Sequence, residues 1–394
     1  MKGAAIAGVA CMLLGALALP ATAPAATAHA SIVGGNPASI AEFPSLTYIE
    51  ARHGKHGFAC TGTVVAPRVV LTAAHCVESI EEGAFTPVGD YALATGVADP
   101  TQATAENVFG IAAAHVYPGF DPGILHGDAA VLILDRPTAA PPLALAGAAA
   151  AALYVGGATV QLAGWGLTRA NARQAPNNLQ ATTMVVQTPG LCKKQTRSFY
   201  PEYSPAAQAC LLDRPDKSSG GCFGDSGGPA IGLRADGTPV QIGITSTGGP
   251  FCSTKLPNVL TRVDLVSTWV TEWIAATEAG APPPLVDPSS PLPTMTPHGA
   301  EEFTIFTLVN AFGRRFTNAR EIFGQCRRAG RTRFRCRLAW ISGGNIYAGV
   351  VSPFYVRRQE ATAWDSHFRI EWARLKCISK QASARRCAIH RKHG

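Results

Sequence analysis

Between Phe43 and about Val263 the apolar positions come in short runs, rich in β-branched residues and cut by Gly, Pro and Asn. Residues 63–71, 129–134, 159–163, 181–187 and 240–245 are examples, and no helical period joins them. Runs of this length between turn residues predict an all-β barrel or sandwich. The pattern changes at Asp264. Leu265, Val266, Trp269, Val270, Trp273 and Ile274 recur at the spacing of one helix face, with Asp264 as N-cap and Gly280 as the stop. The two tryptophans are expected to pack against the core. Further on, Arg333, Arg335 and Arg337 alternate with Phe334, Cys336, Leu338 and Trp340, a period of two that predicts a strand with one apolar and one basic face. Residues 346–356 and 367–372 also read as strands.

The ends and joints of the chain set its organisation. At 394 residues, two or three domains are expected. Lys2 precedes an apolar run over residues 4–19, then Pro20 and an Ala/Thr-rich stretch. This reads as a secretory signal peptide over 1–30, with cleavage after Ala28 or Ala30. No later segment is long and apolar enough to span a bilayer, and the Ala-rich stretch 143–152 reads as a connection. Residues 281–300 carry seven prolines and read as an extended linker. That divides the chain into a β-rich domain over 31–280 and a basic, cysteine-containing, β-rich domain over 301–394.

There are eleven cysteines. Cys11 leaves with the signal segment, and the rest divide between the two domains. Export to an oxidising compartment and the absence of a C-x-x-C pair favour disulfides over metal ligation. Cys326/Cys336 and Cys377/Cys387 share one spacing, so two local bridges are the simplest pairing in the second domain, with two other pairings open.

Chemistry concentrates in three blocks: Leu71-Thr72-Ala73-Ala74-His75-Cys76, Gly127-Asp128-Ala129-Ala130-Val131-Leu132 and Gly224-Asp225-Ser226-Gly227-Gly228-Pro229. A serine hydroxyl is a weak nucleophile and needs a base and an orienting acid. The blocks supply all three in the order His75, Asp128, Ser226. A subtilisin-type triad runs Asp, His, Ser, and an α/β-hydrolase runs Ser, Asp, His. With Ile32-Val33-Gly34-Gly35 and Leu162-Ala163-Gly164-Trp165-Gly166, these blocks resemble those of the chymotrypsin-like (trypsin-like) serine proteases over about 250 residues.

The resemblance implies two six-stranded β-barrels with a C-terminal helix and the triad in the cleft between them. It implies the bridges Cys60–Cys76, Cys192–Cys210 and Cys222–Cys252. Ser226 would be the nucleophile, His75 the base and Asp128 its orienting partner, with the N–H groups of Gly224 and Ser226 as oxyanion hole and Ser246 supporting Asp128. The Ile32 amine, once freed, would pair with Asp225. Gly220 would lie at the floor of the specificity pocket, beside Gly221, with Gly248 and Gly249 on its wall and Asn258 shortening it. No cofactor is implied. Asp99 and Glu106 lie where some relatives bind calcium, but no ligand set aligns on them, and no metal is expected.

Two departures from the family pattern bear on function. Ser31 precedes Ile32 where tryptically activated relatives have Arg or Lys. Gly220 offers no charge where trypsin-type enzymes carry an aspartate, so cleavage is expected after an uncharged, medium-sized apolar or aromatic residue of a protein or peptide. The alternative is a surface-binding or adhesion protein with a protease-like domain of minimal activity.

Charge partition points to a separate role for the second domain. Residues 301–394 hold 16 Arg and 3 Lys against 6 Asp plus Glu, 19 − 6 = +13, so with a whole-chain charge of +8 residues 1–300 carry 8 − 13 = −5. One reading is a module that holds an anionic surface such as an acidic cell-wall polymer, a glycan or extracellular nucleic acid, since Arg grips phosphates and carboxylates bidentately; the alternative is a solvated arginine face on a small disulfide-stapled domain. The linker is expected to let the protease range around a module anchored in this way. Nothing in the sequence defines an oligomeric state.

Overall fold

The computed structural model describes residues 32–394 apart from 54–55, 80–83, 170–171, 173–174, 176, 282–290, 359–360 and 375–389. The expected signal segment, the centre of the proline-rich stretch, Cys377 and Cys387 lie outside the described residues.

Two β-barrels form the first domain. In one, Leu46–His53, His56–Ala66, Val69–Thr72, Ala130–Leu134 and Ile111–Val116 follow one another across the sheet, with Tyr91–Thr95 beyond Leu46–His53. Val108–Phe109 pairs with Tyr91–Thr95 and runs on through Gly110 into Ile111–Val116, so that six segments close on themselves. In the other, Gln180–Val186 pairs with both Thr159–Gly164 and Gln208–Leu212, closing six strands, while Asn36–Pro37 adds a short edge. The expected two six-stranded barrels are therefore present. The apolar faces of both barrels share one core with a helix, α2 (Val263–Ala279); a shorter helix, α1 (Pro189–Thr196), lies earlier in the chain. Trp269 and Trp273 are buried in it, Trp273 stacked 3.7 Å from His115. Gly280 ends α2 with φ +58, as expected, but the N-cap is Arg262 and not Asp264. Asp264 sits in the first turn and holds Arg262 at 2.6 Å, where a carboxylate also suits the helix dipole.

Cys60–Cys76, Cys192–Cys210 and Cys222–Cys252 are bridged, and so is Cys326–Cys336. Among the described residues no helix is long and apolar enough to cross a membrane.

The second domain is a five-stranded antiparallel sheet in chain order, Glu321–Gly330, Arg333–Ser342, Asn345–Arg358, Ala361–Arg374 and His390–His393. One face is covered by α3 (Pro297–Phe312) and α4 (Arg314–Thr317). Phe303, Leu308, Phe312 and Phe316 pack there against Trp340, Tyr347, Tyr355 and Trp364. The alternation expected at 333–340 holds, with Arg333, Arg335 and Arg337 exposed and Phe334, Cys336, Leu338 and Trp340 buried.

Two expectations need correction. The linker does not reach residue 300. Met295 is fully buried in the second domain's core and α3 starts at Pro297, capped by the Thr296 hydroxyl accepting from Gly299 N–H at 3.0 Å. A proline at the first helical position starts a helix as readily as it marks a linker. The second domain is also not free to range. The Tyr355 hydroxyl donates to Asp121, and Gly299 packs on Gly123 so closely that a Cβ on Gly299 would come within 3.0 Å of the Gly123 Cα. Arg358 of the same strand acts electrostatically on Glu78, a fully buried carboxylate close to His75 in the chain. The domains therefore share a packed polar interface behind the segment that carries Asp128.

Candidate active site

Each of the three candidate side chains, His75, Asp128 and Ser226, sits next to the end of a barrel strand. Val69–Thr72, buried throughout, delivers the chain into a short 3₁₀ turn, Ala74–Cys76, that presents His75. Asp128 follows Gly127, whose φ of +65 turns the chain just before Ala130–Leu134. His75 N–H donates to Asp128 Oδ1 at 3.0 Å, and His75 Nδ1 lies 2.7 Å from Oδ2. The Ser246 hydroxyl donates to the same Oδ2 at 2.5 Å. Asp128 is fully buried while His75 is partly exposed. Burial alone would raise the Asp128 carboxyl, but the charge of His75 and the hydrogen bonds from His75 and Ser246 hold it below its ordinary value. For His75, burial pushes the imidazole down and Asp128 pushes it up by more, leaving it above 6.5.

Ser226 arrives from the second barrel. Its carbonyl accepts Thr61 N–H at 2.8 Å, and the Thr61 hydroxyl donates to Gly224 O at 2.9 Å, so a strand of the first barrel fixes the Ser226 loop of the second. Gly227 has φ +81, and a Cβ there would come 2.0 Å from Thr72 Oγ1; only glycine fits where the two barrels press together. His75 and Ser226 line one cleft of about 1,110 Å³.

Gly221, Gly248, Gly249 and Asn258 line the same cleft. Asn258 spans it locally. Its Oδ1 accepts Gly221 N–H at 3.1 Å and its Nδ2 donates to Gly221 O at 3.3 Å. A Cβ on Gly248 would meet Asn258 Nδ2 at 2.7 Å, and one on Gly220 would meet Oδ1 at 3.1 Å. Asn258 thus fills the space between Gly220–Gly221 and Gly248. Phe223 and Phe251, 64% and 86% exposed, also line the cleft. Sequence reasoning passed over both; the signal available was an aromatic residue next to Cys222 and another next to Cys252.

Asp225, beside Ser226, is buried and accepts N–H groups from Gly166 and Cys222, each at 2.8 Å. Among the described residues it has no ion pair, and burial pushes it up to about 7. Ile32 is 1% exposed, and Val33 pairs with Gly220, N–H to O at 3.1 and 3.0 Å in the two directions. The start of the domain is thereby held against the segment leading to Asp225. Cys60, His75 and Cys76 cluster at metal-ligand distances, but the two sulfurs are bonded to each other and offer no thiolate. Asp99 accepts Thr101 N–H at 2.9 Å as the cap of a short turn, Pro100–Gln102.

Two closed barrels, with a buried carboxylate tied to an imidazole at their junction and a serine of the second barrel lining the same cleft as the imidazole, define the class as chymotrypsin-like. The trypsin family model matches residues 32–270, and the chain belongs to that family. It is 30% identical over 233 residues to a trypsin of Saccharopolyspora erythraea, covering 59% of this chain and 93% of that protein. It is 31% identical over 254 residues to a trypsin-like protease of Streptomyces glaucescens, 63% of this chain and 85% of that one. A CLIP domain-containing serine protease B4 of Anopheles gambiae is 30% identical over 264 residues, 61% of this chain and 69% of that one.

Proposed function

We propose that the protein is a secreted serine endopeptidase that cleaves peptide bonds after a small, uncharged side chain. The observation that carries this reading is the buried Asp128, tied to His75 and Ser246, with His75 and Ser226 lining one cleft. With Nδ1 engaged by Asp128, the remaining ring nitrogen Nε2 takes the Ser226 proton as Oγ attacks the scissile carbonyl. The carbonyl oxygen becomes an oxyanion held by the N–H groups of Gly224 and Ser226. Collapse expels the amine, which takes the proton from His75. Water then repeats the sequence, releasing the acid and freeing Ser226. Asp128 stays ionised and steadies the imidazolium, in keeping with its lowered pKa.

The position of Asn258 moves the expected preference from medium or aromatic side chains towards small ones, and Gly220 offers no charge for Lys or Arg. Burying such a cation unpaired would cost several kcal/mol. Activation requires the Ile32 amine: released from Ser31, it supplies the cation that the buried Asp225 lacks. Four disulfides among the described residues suit an extracellular setting. The test is covalent capture of Ser226 by an electrophile that reacts with activated serines.

A second role is favoured by the arginines on the open face of the C-terminal sheet, which fit it to hold an anionic partner while the first domain cleaves.

A further inference from the structure

The open face of the C-terminal sheet has an order that composition does not show. Strand register places Gln325, Arg337, Val350, Arg369 and His393 in one row across all five strands. In the next row Arg327 faces Arg335, and Ser352 faces His367. The two rows contain four arginines, two histidines and no carboxylate. Glu371, in the row beyond, is shared by Arg369 at 3.2 Å and Arg391 at 2.8 Å. Arg335 and Arg337 are exposed and have no ion pair among the described residues.

The outward positions of the middle strand, Asn345–Arg358, are small where it crosses these two rows, at Val350 and Ser352, and where it crosses the Glu371 row, at Ala348. Large side chains flank them, so the surface forms a trough of about 590 Å³ with Arg335 on one wall and His367, Arg369 and Glu371 on the other, the Glu371 carboxylate being taken up by Arg369 and Arg391. The walls stand two strands apart, about 9.6 Å, and successive outward residues along each wall are about 6.8 Å apart. A single extended polymer chain fits that width.

We infer that the trough binds a linear polymer of phosphodiester-linked units, gripped by Arg335 from one side and by His367 and Arg369 from the other, with Arg337 next to Arg335 on the same strand face. This rests on the reading of the open face as an anion-binding surface and names its ligand. A phosphodiester presents its two non-bridging oxygens in diverging tetrahedral directions, so cations on both walls reach it. A carboxylate presents both oxygens in one plane and is satisfied by one guanidinium fork. The trough floor, Ala348, Val350 and Ser352, carries no ring. Phe368 borders it but turns its ring to Phe312 under the helices, Phe354 lies under Arg333 at 5.0 Å and against His367 at 4.9 Å, and the exposed Phe323 stands two strands from Ala348, outside the trough, so no free ring lines the trough for base stacking. A backbone of polyol phosphates therefore suits the site better than nucleic acid.

The test uses the full chain and a fluorescent glycerol-phosphate decamer, titrated by anisotropy over a range of salt. Poly-L-glutamate of equal charge and decathymidylate serve as comparators. The expected result is tightest binding to the glycerol-phosphate oligomer, with log K falling linearly in log salt. Arg335→Gln with Arg369→Gln should weaken it roughly tenfold or more and flatten the slope by about two counterions, with an unchanged melting temperature, while Lys193→Gln on the first domain changes nothing. Equal binding to poly-L-glutamate would overturn the phosphodiester assignment and leave the anionic-surface reading standing. Tighter binding to decathymidylate would overturn it in favour of nucleic acid. Binding to none of the three at low salt would overturn both readings.

Discussion

The Tyr355 hydroxyl, on a strand of the C-terminal sheet, donates to the carboxylate of Asp121, in the segment of the first barrel that leads to Asp128. Both side chains are buried, and Asp121 also accepts Gly123 N–H at 3.0 Å. Burial raises the Asp121 carboxyl, and the hydrogen bonds from Tyr355 and Gly123 oppose that. The second domain therefore completes the solvation of a polar group that the first domain would otherwise leave bare. Tyr355→Phe should lower stability in urea by about 1–3 kcal/mol, the cost of leaving a buried acceptor short of a donor. Deleting residues 297–394 should lower both stability and the hydrolysis of short peptides. Unchanged behaviour of the truncated protein would mean that the interface contributes nothing to the catalytic domain.

Activation should be visible as a change in the pH dependence of stability. While Ile32 is in amide linkage to Ser31, Asp225 has its carboxyl raised from 3.8 to about 7 by burial. The folded chain then binds more protons than the unfolded chain between those values, so stability falls as pH rises from 3.8 to about 7 and levels off above. In protein beginning at Ile32 the ammonium pairs with Asp225, and this part of the decline should vanish. Glu78, pushed up to about 8 by burial, contributes with the same sign in both forms, so the difference between them isolates Asp225. Urea unfolding of the two forms from pH 4 to 8 measures it. Parallel curves would count against the pair, as would equal peptidase activity of the two forms.

On the proposed reading, specificity turns on Asn258. Asn258→Gly removes the side chain tied to Gly221 and opens the space beside Gly220 and Gly248. The ratio of kcat/KM for phenylalanine over alanine at the acyl side of the cut should rise by about tenfold or more, since full burial of such a ring is worth roughly 1.5–3 kcal/mol. An unchanged ratio would place the specificity pocket elsewhere.

The local blocks around His75, Asp128 and Ser226 were legible because the backbone there has few solutions. Gly127 and Gly227 need positive φ, and Gly227 has no room for a Cβ, so the glycines mark the turns that aim the side chains. The closing helix was legible from its periodicity. The start of α3 was not, because prolines before it read as linker and its apolar residues do not keep to one face. The docking of the two domains had no sequence signal at all. Asp121, Glu78 and Tyr355 are single residues without a motif, and they meet only through long-range packing. The narrowing effect of Asn258 was half legible: its position pointed to the pocket, but the paired bonds to Gly221 fix how much of it is filled.

The base sets the pH profile of catalysis. Asp128 holds His75 above 6.5, and the imidazole must be neutral to accept the Ser226 proton. The rate should therefore rise with pH through an apparent pKa above 6.5. In Asp128→Asn the upward push is lost, so the apparent pKa should fall and kcat drop by on the order of 10⁴. A profile that does not move in the variant would separate Asp128 from the base.

The most direct measurement is the site of modification by a fluorophosphonate, read by mass spectrometry of the labelled protein beginning at Ile32. One adduct on Ser226 is predicted, with its rate of formation lowered by several orders of magnitude in His75→Ala and the labelled peptide absent in Ser226→Ala. No adduct, an adduct on another serine, or labelling of Ser226 at the same rate without His75 would contradict the assignment of this cleft as a serine peptidase site.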